Sequence, residues 1–280
     1  MKKFIAAFDG LQFSKTSLQY AIFLTKKANA HLVGVFLEDF TRRSYSIADI
    51  TMYEGVSFED RVRELDEKDQ DLRQEAVQVF EEECQAAGIN FTVHRDRNIA
   101  LHELLHESIY ADLLIVDARE TVTPHREPVP TRFIRELLAD VQCPVVVVPS
   151  EYKPIEKFSI LYDGEPSSVF AVRMFSYLFG KFEMETEVIT VKSAEQSLHL
   201  PDNRLMREYM KRHFPNAGYV VIKGNPEDMI VRHLVAEQQN CFIILGAYRR
   251  SRLSRVFKAS MADLLIKYLK FPLFIAHNKS

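Results

Sequence analysis

Short apolar runs bounded by turn-forming residues alternate along this chain with longer segments whose apolar positions recur every three to four residues. Phe4 to Phe8 predicts a strand, and Lys15 to Ala28 a helix with Leu18, Ala21, Ile22 and Leu24 on one face. His31 to Leu37 predicts a second strand. A long charged helix follows from Phe58, stopped by Gly88. Phe91 to Arg95, Leu113 to Asp117 and the run after Pro144 are further strands, with helices over Leu101 to Tyr110 and Arg132 to Asp140. From Ile160 the order begins again. Strands are predicted at Ile160 to Tyr162, Thr186 to Val191, Tyr219 to Lys223, Phe242 to Leu245 and Leu273 to Ala276. Helices are predicted at Ser168 to Phe179, Asn203 to His213, Pro226 to Gln238 and Ser260 to Leu269.

The two passes match in detail. FIAAFDG, Phe4 to Gly10, is answered by FSILYDG, Phe158 to Gly164. ADLLIVD, Ala111 to Asp117, is answered by CFIILGA, Cys241 to Ala247, and CPVVVVP, Cys143 to Pro149, by FPLFIAH, Phe271 to His277. Conserved order with drifting spacing is the mark of a duplicated unit with unequal loops. The expected fold is α/β: two tandem doubly wound domains, each a parallel sheet with helices on both faces, related by a pseudo-twofold axis. The expected boundaries are 1–150 and 151–280, with Ser150 to Glu156 as linker. The closing strands Val145 to Val148 and Leu273 to Ile275 follow a proline and are expected at sheet edges, paired with each other.

The chain of 280 residues is 47% hydrophobic and 27% charged, the balance of a soluble protein with room for two cores. No apolar run reaches membrane-spanning length, and Asp9 interrupts the first run too early for a signal-peptide core. A net charge of −3 gives no reason to expect nucleic acid or an anionic membrane as partner. Cys84, Cys143 and Cys241 have no paired spacing and are expected as buried thiols in a reducing cytoplasm.

Ligands bind such sheets at the carboxyl ends of the strands, where strand order reverses. The residues there are Asp9 and Asp163, each ending the first strand of a unit, the turn Gly224-Asn225-Pro226, and the stretch Gly246 to Ser260. These positions resemble the tandem universal stress proteins. Nucleotide-binding members of that family carry an Asp at the end of the first strand. After the fourth strand they carry a Gly-x-x-Gly loop, nine residues, and Gly-Ser or Gly-Thr. Asp163 matches the first feature, GAYRRSRLSRVFKAS (Gly246 to Ser260) the second, and Gly224-Asn225-Pro226 the family's turn. The resemblance implies a stress-response protein that binds a ligand or a protein partner and does no catalysis of its own, or at most slow nucleotide turnover. ATP or another adenine nucleotide is the implied cofactor, held by Asp163, Gly246, Arg249 and Ser260.

The loop departs from the motif where Arg249 and Ala259 stand in place of glycine. Glycine there lets backbone N–H groups approach a phosphate. Arg249 either blocks that space or clamps an oxygen, alongside Arg250, Arg252, Arg255 and Lys258. In the first half Asp117 and Glu120 replace both loop glycines and would repel a polyphosphate, so no nucleotide is expected there.

Two other stretches carry letters worth weighing. HELLH, His102 to His106, spells the H-E-x-x-H of zinc hydrolases. Its counterpart EDMIVRHL lacks the pair, so the histidines read as a partly exposed helix face that holds no metal. Asp60 to Glu83 reads as a solvated helix packed along one stripe, or as a surface for a protein partner. Thr41 to Ser57, ahead of it, reads as an inserted loop or as a lid over the strand ends.

Overall fold

The computed structural model describes residues 1–37, 43–51, 57–96, 100–121, 127–180, 182–193, 198–247 and 260–277. Among these, ten strands form one sheet. The first half contributes β1 (Lys2–Asp9), β2 (Ala30–Leu37), β3 (Phe91–Asp96), β4 (Leu113–Asp117) and β5 (Val145–Val148). Its helices are α1 (Lys15–Ala28), α2 (Ile47–Thr51), α3 (Phe58–Ala86), α4 (Ala100–Ser108) and α5 (Arg132–Asp140). The second half contributes β6 (Lys157–Leu161), β7 (Glu185–Lys192), β8 (Gly218–Lys223), β9 (Cys241–Gly246) and β10 (Leu273–Ala276). Its helices are α6 (Pro166–Phe179), α7 (Asn203–His213), α8 (Pro226–Ala236) and α9 (Met261–Tyr268).

The strand order is β3-β2-β1-β4-β5-β10-β9-β6-β7-β8. Each half therefore has the same doubly wound order, and all pairing inside a half is parallel. The halves join where β5 meets β10 antiparallel, with Val145, Val146 and Val147 opposite Ile275, Phe274 and Leu273. The two apolar closing strands thus cover each other's edges, as expected. That joint turns the second half by half a revolution in the sheet plane, so the carboxyl ends of the two sets of strands face opposite directions.

The strands are buried from both sides. One apolar layer holds Leu18, Tyr20 and Leu24 of α1, Ala76, Phe80 and Cys84 of α3, Phe175 and Phe179 of α6, and Met206 and Met210 of α7. The other holds α4, α5, α8 and α9 through Leu104, Ile134, Leu234 and Leu265. The first layer crosses the joint without a break: Phe4 of β1 packs on Phe179, with ring centroids 5.9 Å apart. The linker is pinned as well. Tyr152 packs edge-on against Tyr20, whose hydroxyl donates to the Lys153 carbonyl. The three cysteines are buried and free, and burial pushes the Cys84 and Cys143 thiols up to about 12. No described helix is long and apolar enough to cross a membrane.

Helix α3 is pinned in its second half only. The tip of the Phe80 ring points at Gly34 in mid-β2, where a Cβ would come within 2.6 Å of it. Further up, the Arg73 stem lies over Gly10, just past the end of β1. Residues 58–72 therefore run beyond the strand ends, an overhang of about 22 Å at the α-helical rise. The stretch from Arg43 to Thr51 docks on this overhang. Buried Asp69 accepts the Ser44 N–H at 3.0 Å and the Ser44 hydroxyl, and Asp66 accepts the Tyr45 hydroxyl at 2.5 Å. Burial, reinforced by that bond to a carboxylate, pushes the Tyr45 phenol up to about 12. So the described part of Thr41 to Ser57 includes a short helix held against α3; the rest lies outside the described residues.

Candidate functional site

The reversal of strand order falls between β1 and β4 in the first half and between β6 and β9 in the second. In both, the aspartate ending the first strand closes a local turn. Asp9 Oδ1 accepts the Leu11 N–H and Asp163 Oδ1 accepts the Glu165 N–H, each at 2.9 Å. The environments then diverge. Asp9 is 3% exposed, whereas Asp163 is open to solvent. Gly10 lies under the long Arg73 side chain; its equivalent Gly164, at φ +89°, lies under the small ring of Pro201.

The fourth strands differ more. In the first half Asp117, 3% exposed, is saturated by its own chain. It accepts from the Ser14 hydroxyl at 2.7 Å and from the Arg119 N–H, Nε and Nη2 at 2.8, 3.0 and 2.9 Å. Ser14 also caps α1, so the carboxylate sits at a helix N-terminus. The N-terminus of α5 is filled in the same manner. Glu127 accepts the Arg132 N–H at 2.7 Å and the Thr121 hydroxyl at 2.9 Å, while Thr131 caps the helix by accepting the Ile134 N–H. Among the described residues, a carboxylate thus stands at the N-terminus of both α1 and α5.

In the second half the residue opposite Ala276 is Gly246 rather than an acid. Its missing side chain makes room for α6: a Cβ would lie 2.4 Å from the carbonyl carbon of Ser167 and 2.7 Å from the Ser168 nitrogen. Ser260 caps α9 in a reciprocal box, accepting the Asp263 N–H while Asp263 accepts the Ser260 N–H, both at 3.1 Å. Asn225 caps α8 behind Gly224, which adopts φ +142°. Asp163 in the turn after β6, Gly246 ending β9 and Ser260 capping α9 thus all lie at the carboxyl end of the second-half sheet. Arg249, Ala259 and the other basic loop residues lie outside the described residues.

A second constellation was not legible in the sequence. Lys157, at the start of β6, is almost wholly buried and donates to Glu187 at 3.0 Å and Glu237 at 3.2 Å, with Glu185 3.6 Å away. His233 Nε2 lies 2.7 Å from the other oxygen of Glu187. Among the described residues, Glu187, His233 and Glu237 are the only His, Cys, Asp or Glu group close enough to hold a metal, and the Lys157 ammonium already stands among them. The first half has its own version: Lys3 donates to Glu107 at 3.0 Å and His94 Nδ1 lies 2.7 Å from the same carboxylate. The letters offered only the lysines, 154 residues apart. His102 and His106 of the HELLH string are exposed, and His106 packs on Tyr110.

These networks have a pH signature. Burial alone would raise Glu107 and Glu187, but hydrogen bonds from lysine and histidine outweigh it and hold both below the ordinary 4.5. A depressed carboxyl stabilises the fold above its unfolded value and ceases to do so as pH falls through its folded value. Stability measured by urea unfolding is therefore expected to drop as pH falls below about 4.5. Glu187→Gln is expected to flatten that drop; an acid limb unchanged in the variant would remove Glu187 from it.

No protein-family model matches the chain, and no curated protein matches it. Solved structures do. A universal stress protein from Archaeoglobus fulgidus aligns with 100% of this chain and 97% of its own, with a TM-score of 0.69 at 16% identity. A functionally unknown protein from Pseudomonas aeruginosa aligns over 99% and 92%, with a TM-score of 0.57 at 12% identity. The chain has the full-length α/β fold of a universal stress protein, with the doubly wound unit present twice.

Proposed function

We propose that this chain is a tandem universal-stress-type protein, with a boundary near Ser150, that works in the cytoplasm as a binding and regulatory protein. Its second half takes a nucleotide or another phosphorylated ligand, ATP or a related adenine nucleotide first among them. Its first half takes none. The observation that carries this reading is the difference at one equivalent position: Asp117, buried and saturated by Arg119 and Ser14, against Gly246. A polyphosphate meets a buried carboxylate at one strand end and a glycine at the other. Asp163, exposed beside that end, accepts from a base or sugar, while Ser260 and the cations Arg250 to Lys258 meet the phosphates.

Calorimetric titration with ATP tests it. Asp163→Ala is expected to weaken binding by about tenfold, the worth of one charged hydrogen bond. Arg249→Gly with Ala259→Gly is expected to strengthen it, because both restore backbone access. Glu120→Gly is expected to change nothing. ATP bound equally well by both halves, or binding indifferent to Asp163, would show the wrong half or the wrong ligand class.

A further inference from the structure

Helices α3 and α7 are topological equivalents, each crossing between the second and third strands of its half, and both join the same apolar layer. On that face α1 and α6 meet at the centre, so α3 and α7 form opposite flanks. Their charges are opposed. Over its full length α3 carries eleven acidic and four basic residues. After Arg73, where it lies over the sheet, it carries Glu75, Glu81, Glu82 and Glu83 and no lysine or arginine. Three of these glutamates crowd the helix C-terminus, where the backbone dipole already disfavours negative charge, and its last turn holds no base. All four are exposed, and none has an ion-pair partner among the described residues. Helix α7 carries Arg204, Arg207, Lys211 and Arg212 against a single acid, Glu208. Beside it stand exposed Leu205 and Tyr177.

Within one chain these flanks lie apart, separated by α1 and α6. The edges of the two closing strands are already paired with each other, β5 with β10. We infer that this helical face binds a second copy of the same chain, stacked face to face about a twofold axis parallel to the strands. That axis lays each α3 antiparallel on the α7 of the other copy and makes two acidic–basic contacts at once. The alternative axis, across the strands, sets α3 on α3 and is opposed by charge. A contact this polar is transient and sensitive to salt.

Sedimentation equilibrium of the full chain tests it. A dimer is expected in about 0.05 M salt, with its dissociation constant rising by tenfold or more by about 0.5 M. Reversing α7 by Arg204→Glu, Lys211→Glu and Arg212→Glu is expected to give a monomer, as is reversing α3 by Glu75→Lys, Glu81→Lys and Glu82→Lys. All six positions are exposed, and circular dichroism checks that both variants remain folded. Mixing the two variants is expected to restore the dimer, because each reversed helix then meets its complement. A monomer at low salt, a dimer indifferent to either reversal, or failure of the mixture to associate would each overturn the proposal.

Discussion

Lys157→Met is expected to destabilise the protein by about 3–5 kcal/mol, the usual consequence of deleting one partner from a buried charge cluster. Lys157 is 5% exposed, and its ammonium lies among three carboxylates, two of them within hydrogen-bond distance. Burial alone would lower its pKa, but the bonds to Glu187 and Glu237 outweigh that and raise it, so it stays charged throughout the physiological range. Methionine fills the same volume and removes the charge. Glu187 and Glu237, both half-buried, then face each other across the space it left. Denaturant unfolding at neutral pH measures the loss. Part of it should return at pH near 4, where the carboxyls take up protons and no longer repel. A variant as stable as the parent at neutral pH would mean that water already screens the cluster. The variant should also bind Zn²⁺ better than the parent, since Glu187, His233 and Glu237 lose the cation that competes with a metal.

The fold was open to the letters because its signals are local and repeated. An apolar run ending in Asp-Gly marks a strand and its turn wherever it occurs, and two in the same order reveal two units. The pairing of β5 with β10 followed from a physical demand, since two apolar edges exposed to water invite association. What escaped was non-local. Nothing near Lys157 announces Glu187 or Glu237, which are brought to it only by strand order and by the end of α8. Glu127 lies five residues ahead of Arg132, a spacing with no capping signature, yet it fills the N-terminus of α5. The helix α2, five residues long, is too short for periodicity to find, and the segment before it is held by Ser44 on buried Asp69 and Tyr45 on Asp66 of α3.

The two strand ends show how one ancestral arrangement takes opposite outcomes. In the first half Arg73 lies over Gly10, Arg119 and Ser14 hold Asp117, and Glu127 meets the N-terminus of α5. The second half has kept the glycine and the exposed aspartate. The two halves are joined through β5–β10 and the aromatic layer.

Gly246→Ala is expected to cost about 3 kcal/mol of stability, the upper end of what one added core carbon does, although the residue lies at a strand end. The reason is what the new carbon would meet. Its neighbours at 2.4 to 2.7 Å are backbone atoms of Ser167 and Ser168 in the first turn of α6, which cannot rotate aside as a side chain can. Either α6 lifts away from β9 or the end of β9 bends. Phe175 and Phe179 follow on the same helix and pack on Phe242 and Phe274, so a shift of α6 loosens the layer that binds the two halves. The helix begins three residues after Asp163, so the displacement also reaches the proposed ligand site. Two measurements separate the helix-packing role of this glycine from a role in letting ligand approach. Urea unfolding without ligand should show the full destabilisation if α6 is what needs the space. If the glycine serves the ligand alone, unfolding is unchanged and only ATP affinity falls, and the packing account fails.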